Sequence, residues 1–164
     1  MYKTMIIAVL MVVAISAPRA DAPHDYPFMK YDEGVRLATQ QNKRIFLYFG
    51  RYGCGFCDKT NRESFSDPGL KKLYTEKFVL VYVDAEGADR LTLASGETIT
   101  EQQLGAKLKT LVTPYFIYME PDGTPILKVP GFQKVKDFKN YARYINEEFY
   151  KTKTLAEFNK DTNK

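Results

Sequence analysis

Three runs in this chain are apolar at nearly every position, and they set its plan. Ile45-Phe46-Leu47-Tyr48-Phe49 follows Arg44 and is ended by Gly50; it is too short for a helix and suits a buried central strand. Phe78-Val79-Leu80-Val81-Tyr82-Val83-Asp84 reads the same way, apolar on both faces. Tyr115-Phe116-Ile117-Tyr118-Met119, the turn Pro121-Asp122-Gly123 and Pro125-Ile126-Leu127-Lys128-Val129 predict a β-hairpin. Helical patterns lie between and around these strands. Tyr31 to Asn42 has Asp32 near its start and Val35, Leu37 and Ala38 among its apolar positions; Leu70 to Lys77 follows an Asp67-Pro68-Gly69 turn. Thr100-Glu101-Gln102-Gln103 is a capping box that opens a helix to about Leu111, and Val135 to Tyr150 is a closing amphipathic helix. Leu91 to Leu93 and Glu97 to Ile99 flank Ala94-Ser95-Gly96 as a small hairpin. The sum is an α/β domain over residues 31–150: a central mixed β-sheet flanked by helices on both faces. Residues 23–30 read as an extended linker, and 151–164 as a polar C-terminal tail with a short helix at Thr154 to Phe158.

Residues 1–22 have a different character. Met1 to Thr4 is short and basic, Met5 to Ile15 is an unbroken apolar run, and Ser16 to Ala22 is rich in small residues. That layout predicts a signal peptide, cut after Ala20 or Ala22, and hence a periplasmic protein. An uncleaved membrane anchor is the other reading, although the run is short for a bilayer. The formal net charge of +4 is mild and spread along the chain, so it makes no case for nucleic acid.

Export changes how the two cysteines are read. They stand as Cys54-Gly55-Phe56-Cys57, where the buried strand ends and the polar segment Asp58 to Ser64 begins as a helix. A zinc site needs four ligands, and the single histidine, His24, is far away in the linker, so no metal is expected. A disulfide that closes so short a loop removes little entropy from the unfolded chain and so stabilises poorly. The cysteine spacing alone still leaves a structural bridge and a redox pair both open; the surrounding sequence decides. At a helix N-terminus, unpaired N–H groups and the positive end of the dipole favour a thiolate. Cys54 is therefore the expected nucleophile, exposed and partly ionised, with Cys57 more buried one turn further in and resolving the mixed disulfide. Tyr52 and Phe56, aromatic and flanking the cysteines, are candidates for a docking surface. Arg51 and Lys59 are either solvated charges or cations that lower the Cys54 pKa.

With these residues in register, the chain resembles the thioredoxin family over about Tyr31 to Tyr150. The resemblance is carried by the strand before Cys54-Gly55-Phe56-Cys57, by Val112-Thr113-Pro114 well downstream of it, by Pro121-Asp122-Gly123 and by Pro130-Gly131-Phe132. The excursion Leu91 to Gln103 is similar to that of periplasmic SoxW-type members. The resemblance implies the thioredoxin fold, a cis bond between Thr113 and Pro114 beside the cysteines, and a Thr113 backbone that pairs with an extended client segment. It also implies a monomeric thiol–disulfide oxidoreductase without a bound cofactor. Its partners would be client proteins with disulfides or reactive cysteines, including sulfur-oxidation proteins, and a membrane thiol-electron transporter as reductant. Alternatives are a general periplasmic reductase serving cytochrome c maturation and a non-enzymatic binding module with a structural disulfide. Three family residues are replaced here. The tryptophan before the first cysteine is Gly53, the buried aspartate is Tyr48, and its lysine partner is Leu80. The proton acceptor for Cys57 is thereby left open between water and a carboxylate such as Asp84 or Glu86.

Overall fold

A computed structural model describes residues 22–162. The expected signal peptide lies outside the described residues except for Ala22. The chain runs α1 (Tyr31–Gln41), β1 (Ile45–Gly50), α2 (Gly55–Glu63), α3 (Pro68–Lys77), β2 (Val79–Asp84), β3 (Arg90–Thr92), β4 (Thr98–Thr100) and α4 (Glu101–Leu108). It continues with β5 (Tyr115–Met119), β6 (Pro125–Pro130), α5 (Val135–Asn146), a 3-10 turn at Phe149–Lys151 and α6 (Leu155–Thr162). Four strands form one sheet in the order β2-β1-β5-β6, with β1 parallel to β2 and antiparallel to β5, and β5 antiparallel to β6. β3 and β4 pair separately as the expected small hairpin.

Alternation along the strands sorts the apolar runs onto two faces of different chemistry. Phe46, Tyr48, Leu80, Phe116 and Tyr118 pack with Tyr74 of α3, Phe138 and Ala142 of α5, Phe65, and both cysteines. Ile45, Leu47, Phe49, Val79, Val81, Val83, Ile117 and Met119 pack with Ala38 of α1, Leu104 of α4 and the hairpin residues Leu91 and Ile99. One face is thus aromatic and the other mostly aliphatic. Two buried hydroxyls on the aromatic side are paired: Tyr74 donates to the Phe138 carbonyl at 2.9 Å and shares a hydrogen bond with Tyr118. The buried Tyr26 hydroxyl, by contrast, has no hydrogen-bond partner among the described residues. Burial pushes the Tyr74 and Tyr118 phenols well up, so they stay neutral.

Helix starts and stops follow local chemistry. Asp67 caps α3 by accepting from the Leu70 N–H at 2.6 Å, ahead of Pro68 in the first turn. Thr100 and Gln103 form the capping box at the start of α4. The helix stops at Leu108 rather than running to Leu111. Lys109 turns left-handed (φ 58°), Thr110 folds back to bond the Gly105 carbonyl, and the Lys128 ammonium donates to the Leu108 carbonyl at 2.8 Å. The closing helix is also shorter than expected, ending at Asn146 rather than Tyr150. Glu148 becomes left-handed (φ 58°) and pairs with Arg44 from the start of β1, and Tyr150 donates to Glu120 at the end of β5. Those pairings draw the chain away from the helix axis.

Both flanking segments belong to the packed body. Residues 23–30 are not extended throughout as expected: Pro23 to Tyr26 close a turn, with the Tyr26 N–H donating to the Pro23 carbonyl at 3.1 Å. The segment then packs with Tyr26 buried against Phe65, Phe28 stacked on Tyr26, and Met29 bridging in parallel to Val81. That bridge covers the outer edge of β2, which an exposed strand would leave open to pairing. In the tail, α6 buries Phe158 against Tyr144 and Phe149, extending the expected short helix to Thr162.

α1 lies so close to β2 that a Cβ at Gly34 would run into the Val81 side chain. We expect Gly34→Ala to destabilise the fold by about 1–3 kcal/mol, since overpacking there outweighs alanine's helix preference. A urea midpoint equal to or above wild type would show that α1 can shift outward without cost.

Candidate active site

β1 delivers the chain to one end of the sheet, where Arg51, Tyr52 and Gly53 turn it into α2. Gly53 takes φ +69°, a left-handed conformation that side chains resist, which accounts for glycine where the resembling family has tryptophan. Cys54 is the N-cap of α2 in extended conformation, and its Sγ accepts a hydrogen bond from the Cys57 N–H at 3.1 Å. The two cysteines are joined in a disulfide with Cα atoms 5.2 Å apart. On reduction the same amide faces the Cys54 sulfur, and with the positive end of α2 it favours the thiolate.

One expectation about the pair needs correction. Cys54 does not stand out from the surface: it is 5% exposed and Cys57 4%. In the disulfide each sulfur covers the other, and both rest on the aromatic face of the sheet among residues such as Tyr48, Phe65 and Phe116.

The second wall comes from the strand partner. Phe49 at the end of β1 pairs with Tyr115 at the start of β5, so the loop after β1 and the loop before β5 leave the sheet at the same end. That register brings Thr113 and Pro114 beside the cysteine loop, and the bond between them is cis. Pro114 is buried and Thr113 half-buried. Among the described residues no hydrogen bond engages the Thr113 N–H or C=O, whereas the Pro114 carbonyl accepts from the Gly131 N–H at 2.8 Å.

A rim of apolar side chains surrounds the sulfurs. Among the described residues the large hydrophobics left exposed are Tyr52 (74%), Phe56 (63%), Leu111 (88%) and Val112 (51%). Two flank the cysteines, as the sequence suggested, and two lead into Thr113. Leu111 was missed because the helical pattern was extended to it, and Val112 because it was read only as the residue leading into Thr113-Pro114. The signal that could have found them is Lys109-Thr110, a poor helix continuation just ahead of the Val112-Thr113-Pro114 motif. A groove of about 470 Å³ also runs along α2, lined by His24, Tyr26, Asp58, Asn61 and Arg62 among others, but neither cysteine lines it.

The charged neighbours are engaged away from the sulfurs. Arg51 pairs with Glu86 at 3.4 Å, and the Lys59 ammonium sits 4.5 Å over the Phe132 ring. Glu86 is therefore tied to Arg51, and Asp84 accepts from the Glu86 N–H at 3.0 Å. Tyr48, in the position of the family's aspartate, is buried with its hydroxyl 3.4 Å from Asn61 Oδ1. Burial, reinforced by Asp58, pushes its phenol far above the neutral range, so it is no proton acceptor at neutral pH. Among the described residues no cluster of three or more His, Cys, Asp or Glu side chains could hold a metal ion.

A cysteine pair at the N-terminus of a helix, seated on a four-stranded mixed sheet beside a cis-proline loop, is the arrangement of a thioredoxin-like disulfide oxidoreductase fold. Residues 31–146 match the Thioredoxin-like domain family, and the chain belongs to it. An uncharacterized protein of Archaeoglobus fulgidus is 27% identical over 85 residues, which cover 51% of this chain and 65% of that protein's length, just under two thirds of it. A thioredoxin-fold protein from Helicobacter pylori superposes with a TM-score of 0.63 at 19% identity, over 74% of this chain and 80% of that one. A thioredoxin from Thermus thermophilus gives a TM-score of 0.60 at 22% identity, over 73% and 86%. At these identities the structural likeness is one of fold.

Proposed function

We propose that this chain is a periplasmic thiol–disulfide oxidoreductase that mainly reduces disulfides on client proteins. The observation that carries the reading is the Cys57 N–H aimed at Cys54 Sγ at the start of α2, because it lowers the cost of a thiolate at the attacking sulfur. In the reduced chain Cys54 attacks a client disulfide, forming a Cys54–client disulfide and releasing one client thiolate. Cys57 then loses its proton and attacks Cys54 Sγ, releasing the second client thiolate. Two electrons pass to the client, and the chain is left with the Cys54–Cys57 disulfide. The unbonded Thr113 backbone serves as a strand edge for the client, and Tyr52, Phe56, Leu111 and Val112 bury its apolar side chains.

Export to the periplasm rests on the signal-like segment ahead of Pro23. A membrane thiol-electron transporter as reductant, and sulfur-oxidation proteins as clients, rest on the resemblance to SoxW-type members. The test is capture: Cys57→Ala removes the resolving thiol and should leave clients covalently bound through Cys54. Adding Phe56→Ala in that background should lower the yield several-fold without altering Cys54 alkylation. Recovery of no covalent partner from intact periplasm would count against an exchange role and favour a structural disulfide.

A further inference from the structure

The loop joining β6 to α5 forms a third side of the site, and one side chain organises it. The Gln133 amide donates from Nε2 to the Pro130 carbonyl at 3.0 Å and to the Gly131 carbonyl at 3.3 Å, while its Oε1 accepts from the Tyr141 hydroxyl at 2.8 Å. The loop so held touches both halves of the site. Its Gly131 N–H donates to the Pro114 carbonyl at 2.8 Å, next to the unbonded Thr113 backbone. On the other side, the buried Ser64 hydroxyl at the end of α2 donates to the Gln133 carbonyl at 2.6 Å, and Lys59 of α2 lies over Phe132.

We infer that Gln133 is a positioning residue whose side chain makes Pro130 to Gln133 a bracket, holding the Thr113–Pro114 edge at a set distance from the cysteine helix. The inference rests on the exchange reading above. A client strand must reach the Thr113 backbone and present its sulfur to Cys54 at once, so it senses the spacing between the two walls. A small aromatic disulfide needs Cys54 alone and does not. Gln133 therefore selects for polypeptide clients while leaving the sulfur chemistry unchanged. Loss of its amide frees two loop carbonyls and strands the Tyr141 hydroxyl, so the loop is no longer held to one geometry.

The experiment compares fully reduced wild type and Gln133→Ala in single turnover, the Cys54–Cys57 dithiol supplying both electrons. The substrates are insulin and a small aromatic disulfide such as dithiobis(nitrobenzoate); kcat and KM are the limiting rate and half-saturating concentration of that turnover. For insulin, KM is expected to rise roughly 5–10-fold, the scale of one or two neutral hydrogen bonds, with kcat within about 2-fold. The rate with the small disulfide should stay within about 2-fold of wild type. Tyr141→Phe removes only the hydroxyl and should raise the insulin KM in the same direction by about 2–3-fold. It also serves should Gln133→Ala fold poorly. An unchanged insulin KM in both variants would overturn the inference, as would an equal fall in both substrates' rates, which marks a merely structural role. A wild type inert toward the small disulfide would instead overturn the exchange reading, and the inference with it.

Discussion

Replacing Cys54 with serine should reduce disulfide reduction to background while the chain stays folded. Cys54 alone combines the N-cap position with a backbone amide aimed at its sulfur, and the chain has no third cysteine to substitute for it. Cys57 is held one turn inside the helix and lacks that amide. The sign of the pH effect follows from the charged form. A donor hydrogen bond and a helix N-terminus both favour the thiolate, so the reduced Cys54 thiol is expected to titrate in a range lower than the ordinary ~8.5. Alkylation of the fully reduced chain, followed from pH 4 to 10 by mass spectrometry, should show Cys54 reacting first with its inflection in that lower range. An inflection at or above the ordinary thiol value would mean that the α2 terminus contributes nothing to nucleophilicity. Because both sulfurs are tied up in the disulfide and only a thiolate alkylates, the experiment needs the reduced chain.

The largest stability loss is expected at Phe46. Its ring is fully buried in the middle of β1 and meets Tyr74 at 4.8 Å, Tyr118 at 5.2 Å, Phe116 at 5.7 Å and Phe138 at 6.1 Å between centroids. The aromatics come from three further elements, so no single neighbour can move in to fill the space. Phe46→Ala should cost about 3–5 kcal/mol, from lost transfer energy and the cavity left behind. That is a large share of the roughly 5–15 kcal/mol that holds a domain of ordinary stability together. Phe56→Ala removes the same side chain from an exposed position and should stay within about 0.5 kcal/mol of wild type. Urea unfolding of the pair separates the two uses of phenylalanine here. A loss at Phe46 no larger than at Phe56 would show that the aromatic face repacks around the vacancy.

Much of the fold could be read directly. The central strands were legible because a short apolar run between turn residues has few other uses, and the strands at 45–50, 79–84 and 115–119 fall where the runs do. The capping box at Thr100 and the cap at Asp67 are local chemistry, each decided within a single helical turn. Errors gathered where distant groups intervene. Helix α5 stops short because Arg44, just before β1, and Glu120, just after β5, take Glu148 and Tyr150 out of the helical path. The segment 23–30 read as an extended linker, yet Tyr26, Phe28 and Met29 each find a partner brought close by folding.

The chemistry expected of this chain is legible in a few letters: two cysteines separated by Gly55-Phe56 at a strand-to-helix junction, with Thr113-Pro114 downstream. Helix polarity makes Cys54 the favoured nucleophile from position alone, since N-terminal amides are unpaired in every helix. How that chemistry is presented depends on long-range pairing. The pairing of Phe49 with Tyr115 sets the two loops side by side, and the early end of α4 turns Leu111 and Val112 outward beside them. Gln133 is an ordinary residue in a list of letters; its reach to Pro130, Gly131 and Tyr141 exists only after β6 and α5 have docked. Local rules act through neighbours in the chain, whereas a docking surface is assembled from segments far apart in it, and strand register and packing alone bring them together.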